Sequence, residues 1–207
     1  MNATRPHSKR KDMIAAALRL FADRGIKATT IRDIAQEAGV TEGALYRHFE
    51  SKEQLAQSLF GECAKSLYEA LAASVADVHG SHKRLCALAR AFFQFAQDSP
   101  EAYEYVMARH HDNVGGLRPD QPLPKDVFVQ VIDQGIRDKE LRVIDAHLGA
   151  AIMIGMLLRT IFFMDRGMIK SSRDEVIDEI CETLHRVFEY KPKKVDRLAH
   201  IPAELKI

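Results

Sequence analysis

Residues 55–75 carry an apolar side chain at every fourth position, and this spacing constrains the fold more than any other feature of the chain. The stripe consists of Leu55, Leu59, Cys63, Leu67, Leu71 and Val75. A four-residue repeat places these side chains on one face of an α-helix, whereas a half-buried strand alternates every second residue. Ser51 and Gln54 form an S-x-x-Q capping box just before the stripe. The sequence therefore predicts one long helix, ending near His79 and Gly80.

Helical periodicity recurs along most of the 207-residue chain. Further helices are predicted over about 14–24, 30–38, 42–48, 81–98, 100–110, 124–139, 144–164 and 172–190. Residues 112–124 form a loop rich in glycine and proline, and 191–207 form a polar tail. No alternating strand pattern of useful length is present. The predicted fold is all-α, with about nine helices.

Composition by itself selects no partner. The chain is 46% hydrophobic and 29% charged with a net charge of +1, which is ordinary for a soluble globular protein. The three cysteines, Cys63, Cys86 and Cys181, are odd in number and widely spaced, and each lies in an apolar stripe. We interpret them as packing residues in a reducing compartment. The N-terminus lacks the apolar region of a secretory signal, so a cytoplasmic location is expected.

One segment resembles a membrane span in composition. Residues 148–164 are apolar except for Arg159 and Thr160. A spanning helix needs about 20 apolar residues, and an arginine near its centre is costly. We therefore expect a helix that is buried on two sides in a soluble protein, without membrane contact.

Residues 30–50 have the layout of a helix-turn-helix, with two short helices joined by the sequence AGVT and Gly39 in the turn. The residues that would hold the two helices together are Ala35, Gly39, Val40, Leu45 and Phe49. Small and polar side chains remain on the outer face, and a helix in the DNA major groove needs this division. The alternative is an ordinary helical hairpin with a solvated face. A basic N-terminal arm favours DNA, and it consists of Arg5, Lys9, Arg10 and Lys11.

Residues 9–60 resemble the DNA-binding domain of the TetR family of bacterial transcriptional regulators. The elements F-x-x-x-G, T-T-I-x-x-I-A-x-x-A-G-V, G-x-L-Y-x-H-F and S-K-E-x-L stand in order. The resemblance implies a regulator, with repressor the family expectation, that binds an inverted-repeat operator in double-stranded DNA and responds to a small-molecule effector. It divides the chain into a DNA-binding domain (1–54), a ligand-binding and dimerisation domain (55–190) and a tail (191–207).

The resemblance also assigns roles to individual residues around the second short helix. The residues implied to face base edges are Thr41, Glu42, Gly43, Ala44 and Arg47. Those implied to hold phosphates are Thr30, Tyr46, His48 and Lys52. Arginine is the commonest reader of guanine, and glutamate accepts from cytosine N4, so part of this assignment is plausible on chemistry alone. For Tyr46 and His48, capping of the local backbone is the alternative.

The C-terminal part must supply dimerisation and a signal. The helix over 148–164 is apolar all round, and Ala151 and Gly155 would let another helix approach closely. With the last helix it would pair with its copies across a two-fold axis, as in the family; the alternative is a monomer core. Candidate ligand-lining residues are Phe92, Phe93, Phe95, Tyr103, Tyr105, Met107, Phe128, Met153 and Met156, with His110 or His111 as a polar anchor. Each is equally a typical core or helix-end residue.

The alternatives to a DNA-binding protein are an enzyme and a helical scaffold. An enzyme would need a nucleophile motif, metal-ligand spacing, a glycine-rich phosphate loop or paired carboxylates, and none is found. Adjacent histidines on a helix point about 100° apart, so His110 and His111 make a poor metal pair. We predict no catalytic residue, metal or cofactor. A helical scaffold would leave the basic arm and the small-residue helix unexplained.

Overall fold

The structure is a computed structural model that describes residues 6–109 and 121–189, without the side chains of 6–8, 108 and 109. Within these ranges the chain forms nine α-helices and no strand apart from one isolated bridge between Leu141 and Glu189. The helices are α1 (Pro6–Ala28), α2 (Ile31–Glu37), α3 (Glu42–Tyr46), α4 (Lys52–Val75), α5 (Ser81–Asp98), α6 (Pro100–Arg109), α7 (Pro124–Arg137), α8 (Ala146–Asp165) and α9 (Arg173–Phe188). The all-α prediction is confirmed.

Side-chain caps determine where α2, α3 and α4 begin. The Thr30 hydroxyl accepts a hydrogen bond from the backbone N–H of Asp33 at 3.1 Å. Thr41 accepts from the backbone N–H of Ala44 at 3.2 Å, and Ser51 accepts from that of Gln54 at 3.1 Å. Each cap satisfies an N–H group that the first helical turn leaves unpaired. The starts of these helices are therefore local properties of the sequence.

Helix α4 is the centre of the fold. All six residues of its four-residue stripe are at most 6% exposed. The helix packs against α1 on one side and against α5, α6 and α7 on the other. Because it begins beside α1–α3 and continues into the C-terminal helices, it connects the two halves of the chain through one rigid element.

Helix α8 differs from its prediction, because only one of its faces is buried within the chain. The buried residues are Gly149, Ala150, Met153, Leu157 and Ile161. The opposite face is apolar yet exposed, with Leu148 at 55%, Ile152 at 39% and Phe162 at 38%. By length and composition α8 is the one helix in the described ranges that could cross a membrane, with 28% of its apolar window buried. Burial on two sides was the wrong expectation for a single copy, since the contacts of α8 with α7 and α5 bury only one of its faces.

Candidate nucleic-acid interface

Helices α2 and α3 form the predicted helix-turn-helix. Ile34 and Ala35 of α2 are buried, as are Leu45 at the end of α3 and Phe49 just beyond it. Between the helices, Gly39 has a φ of 63°, in the left-handed region that favours glycine. The backbone N–H of Val40 closes this turn by donating to the carbonyl of Ala35 at 2.9 Å. The turn and the apolar contacts together hold α3 at the surface.

The outward face of α3 carries the small and polar side chains that the sequence analysis singled out. The exposed members are Thr41, Glu42, Gly43, Tyr46, Arg47 and His48, and Ala44 is half-buried. A Cβ added at Gly43 would meet no atom within 4 Å. The absence of a side chain at Gly43 is therefore not required by packing. This face can approach a flat or grooved partner closely.

Thr30 lies at the start of α2, but its polar groups are already used. Its backbone N–H donates to the Asp33 carboxylate at 2.9 Å, and its hydroxyl donates to the same oxygen at 2.8 Å. These bonds from Thr30 hold the pKa of Asp33 below its ordinary value. A phosphate approaching Thr30 would meet an ionised carboxylate. Phosphate binding by Thr30 stays a prediction that this geometry does not favour.

Lys52 is half-buried and its ammonium group faces the protein. Its Nζ donates to the backbone carbonyl of Ile26 at 2.7 Å and to that of Thr29 at 2.8 Å. These carbonyls belong to the end of α1 and the turn before α2. Lys52 therefore ties the start of α4 to the helix-turn-helix, and two of its three N–H donors are unavailable to DNA. This role of Lys52 is not visible in the sequence, because the partners are 26 and 23 residues away.

Part of the basic N-terminal arm is likewise engaged in the fold. Arg10 pairs with Glu62 of α4, with 3.0 Å between Nη2 and Oε1, and its guanidinium lies 5.5 Å from the centre of the Phe49 ring. Lys9 and Lys11 are exposed. Arg5 lies outside the described residues. The described arm therefore offers Lys9 and Lys11, rather than Arg10, to a phosphate backbone.

Three of the predicted ligand-lining residues, Phe92, Tyr103 and Phe128, form an aromatic cluster in the core of the C-terminal helices. Phe92 makes edge-to-face contacts with Tyr103, at 5.8 Å between ring centres, and with Phe128, at 6.2 Å. Phe93 and Met153 are also buried, as are Phe95 and Tyr105, whereas Met107 and Met156 are half-buried. Burial raises the pKa of Tyr103 to about 12. His110 and His111 lie outside the described residues. The structure thus contains an aromatic cluster, and the role of this cluster as a ligand site stays a prediction.

Tyr105, two residues after Tyr103 in α6, contacts the DNA-binding half. Its hydroxyl donates to the backbone carbonyl of Ala56 in α4 at 2.9 Å, and its ring stacks on Phe21 of α1 at 6.0 Å between centres. Helix α6 therefore touches both α1 and α4. A displacement of α6 would act directly on the two helices that support α2 and α3.

Comparison with known proteins identifies the chain. Bacterial regulatory proteins of the tetR family match at residues 13–59. The transcriptional activator FasR of Mycolicibacterium smegmatis is 30% identical over 150 residues, which cover 72% of this chain and 67% of FasR. The chain belongs to the tetR family. This membership places it among regulatory proteins and sets aside both the enzyme and the scaffold.

Other matches to this tetR-family chain differ in how much they cover. The transcriptional repressor KstR2 of Mycolicibacterium smegmatis is 50% identical over 56 residues, so the aligned part spans only 27% of KstR2. A TetR family regulator from Marinobacter aquaeolei VT8 has the same fold over 89% of this chain and 97% of its own, with a TM-score of 0.78 and 21% identity. AibR, solved with isovaleryl coenzyme A and operator DNA, covers 88% of this chain and 100% of its own, at a TM-score of 0.65 and 21% identity.

Proposed function

We propose that this protein is a transcriptional regulator that inserts α3 into the major groove of its operator. The observation that carries the proposal is the division of α3 into a buried apolar side and an exposed small and polar side. Leu45 is 1% exposed, whereas Tyr46 is 53% exposed. A short helix fixed in this way presents its polar edge as a rigid unit, and rigid presentation is what base reading requires.

The proposed contacts follow from which side chains are free. Arg47 and Glu42 are exposed and suit guanine and cytosine edges, respectively. The other members of the proposed base-facing set are Thr41, Gly43 and Ala44. Tyr46 and His48, both exposed, are assigned to phosphates. Lys52 contributes one remaining N–H donor at most, so its main role is to position α4.

The exposed face of α8 supports a homodimer. A second copy of the chain would cover Leu148, Ile152 and the rings of Phe162 and Phe163. A Cβ added at Gly155, in the middle of this face, would meet nothing within 4 Å, so a partner helix can approach closely. Two copies of α3 would then read the halves of an inverted repeat, about 34–36 Å apart. The dimer would also cover the exposed apolar face of α8, the helix that by length and composition could cross a membrane. This cover is in keeping with a cytoplasmic regulator.

The C-terminal helices are proposed to bind a small, largely apolar effector. Similarity in fold to AibR, solved with isovaleryl coenzyme A, supports an effector with a short apolar acyl group. An effector bound near Phe92 and Tyr103 would act through Tyr105 on α4. The proposed division at residue 54 falls within α4, which is continuous from Lys52 to Val75, so the two functions share a helix. Repression relieved by the effector is the favoured direction, and the similarity to the transcriptional repressor KstR2 supports repression.

Selection of bound fragments from random double-stranded DNA tests the proposal. The full chain should enrich an inverted repeat with half-sites one helical turn apart. Arg47→Ala should change the preferred base at one position of each half-site. Arg142→Ala is the matched control, because Arg142 is exposed but follows α7, far along the chain from α3. Failure of the wild-type chain to enrich any sequence contradicts the proposal.

A further inference from the structure

Helices α5 and α9 lie side by side and run antiparallel, as two cross-helix pairs show. The rings of His82 and His185 meet edge-to-face with 4.3 Å between centres. Two turns further along α5, Arg90 pairs with Asp178, with 2.6 Å between Nη2 and Oδ1. From the first pair to the second, residue numbers rise along α5 and fall along α9. The helical turn midway between the pairs therefore places Cys86 of α5 opposite a residue near position 181 of α9.

The middle turn holds Cys86 of α5 and Cys181 of α9, which line the same cavity and interact electrostatically with each other. Both cysteines are half-buried, and both line an open cavity of about 620 Å³. Cys63, by contrast, is buried in the stripe of α4. The interpretation of all three cysteines as packing residues stays a prediction, and the spacing along the sequence does not show which cysteines meet across two helices.

We propose that Cys86 and Cys181 form a redox-active pair, which a hydroperoxide oxidises to an intramolecular disulfide between α5 and α9. In the first step the Cys181 thiolate attacks the peroxide oxygen, forming a sulfenic acid and releasing an alcohol or water. In the second step the Cys86 sulfur attacks the sulfenic sulfur, and its proton leaves with the hydroxide as water. Two thiols lose two electrons, which the peroxide accepts.

The order of the two cysteines follows from their surroundings. Burial, together with the neighbouring Cys181, raises the pKa of Cys86 to about 12, so Cys86 keeps its proton in the reduced protein. Cys181 is therefore the group that reacts first. Cys86 then acts as the resolving thiol.

The geometry favours a disulfide over a bound metal ion. Two histidines and two cysteines lie in adjacent turns, but among the described residues no three His, Cys, Asp or Glu side chains are gathered as metal ligands. A disulfide needs only the two sulfurs, which must approach each other to about 2.05 Å. The open cavity beside the thiols leaves room for their side chains to rotate and for a peroxide to enter.

Peroxide treatment of the full, reduced protein tests the proposal. One equivalent of hydrogen peroxide should lower the mass of the chain by about 2 Da, as loss of two hydrogens requires, and dithiothreitol should reverse the change. Peptide mapping should recover a Cys86–Cys181 crosslink, and Cys63 should still react with a maleimide after unfolding. A crosslink between chains, a crosslink to Cys63, or three thiols that remain reduced would each overturn the assignment.

Single variants separate the two roles. Cys86→Ser should leave a sulfenic acid on Cys181 that dimedone captures, whereas Cys181→Ser should give no dimedone adduct. Cys63→Ser is the matched control and should form the disulfide as the wild type does. A circular-dichroism melt of each variant establishes that it is folded before oxidation. Equal dimedone labelling of Cys86→Ser and Cys181→Ser would show that neither thiol reacts first, which contradicts the proposed order.

Discussion

Replacing Lys52 by alanine should destabilise the protein, although a basic residue beside a DNA-binding helix invites the expectation of a phosphate contact. The change removes two hydrogen bonds from Nζ to the carbonyls of Ile26 and Thr29. Hydrogen bonds to charged groups contribute about 1.5–3 kcal/mol each when buried, and partial exposure of Lys52 reduces this by about half. Removing a cation from the first turn of α4 returns about 0.3–1 kcal/mol through the helix dipole. The expected net loss is about 1–2 kcal/mol.

Urea unfolding followed by circular dichroism at fixed protein concentration measures this loss. Lys65→Ala is the matched control in the same helix, because Lys65 is 69% exposed and its Nζ lies 3.7 Å from Glu69. Its free energy of unfolding should change by about 0.5 kcal/mol or less. A structural role for Lys52 is contradicted if Lys52→Ala unfolds at the wild-type urea concentration while the slope of log affinity for DNA against log salt concentration falls by about one.

Three further predictions concern other parts of the molecule. Arg47→Ala should weaken operator binding by about 1–3 kcal/mol in a fluorescence anisotropy titration. An unchanged sequence preference would show that Arg47 contacts the DNA phosphate backbone and not a base. Ile152→Glu should raise the dimer dissociation constant at least about tenfold in sedimentation, since a carboxylate would be buried unpaired; an unaltered dimer would place the interface elsewhere. The pKa of Asp33 in the folded protein lies below its ordinary value of 3.8. The ionised carboxylate therefore stabilises the fold fully at pH values above 3.8, and this stabilisation is lost as the pH falls through the folded-state pKa. Asp33→Asn should lack this acid-dependent loss in pH-dependent unfolding.

Local features of this chain could be predicted from its sequence. The capping residues Thr30, Thr41 and Ser51 act on N–H groups only three residues away, so their spacing is visible in the sequence. The stripe of α4 is equally local, because one helix face needs only a regular repeat. Helix order, the turn at Gly39 and the exposed face of α3 follow from the same short-range rules.

Long-range contacts could not be predicted in this way. Lys52 reaches back to Ile26 and Thr29 across the turn of the helix-turn-helix. Cys86 and Cys181 meet because two distant helices pack in one particular register, and periodicity does not specify register between helices. The exposure of α8 depends on a partner that lies outside the chain. These features become visible only in the three-dimensional structure, and each changes the role that is expected of a side chain.

The central claim is that α3 reads an inverted repeat as part of a dimer. Its most direct test is an anisotropy titration of the full protein against the selected operator and against the same operator with one half-site scrambled, repeated at several salt concentrations. The expected result is tight binding to the intact repeat, a loss of at least about 100-fold on scrambling, or about 2.7 kcal/mol, and affinity that falls steeply with salt. Equal affinity for both DNAs with no salt dependence would contradict it.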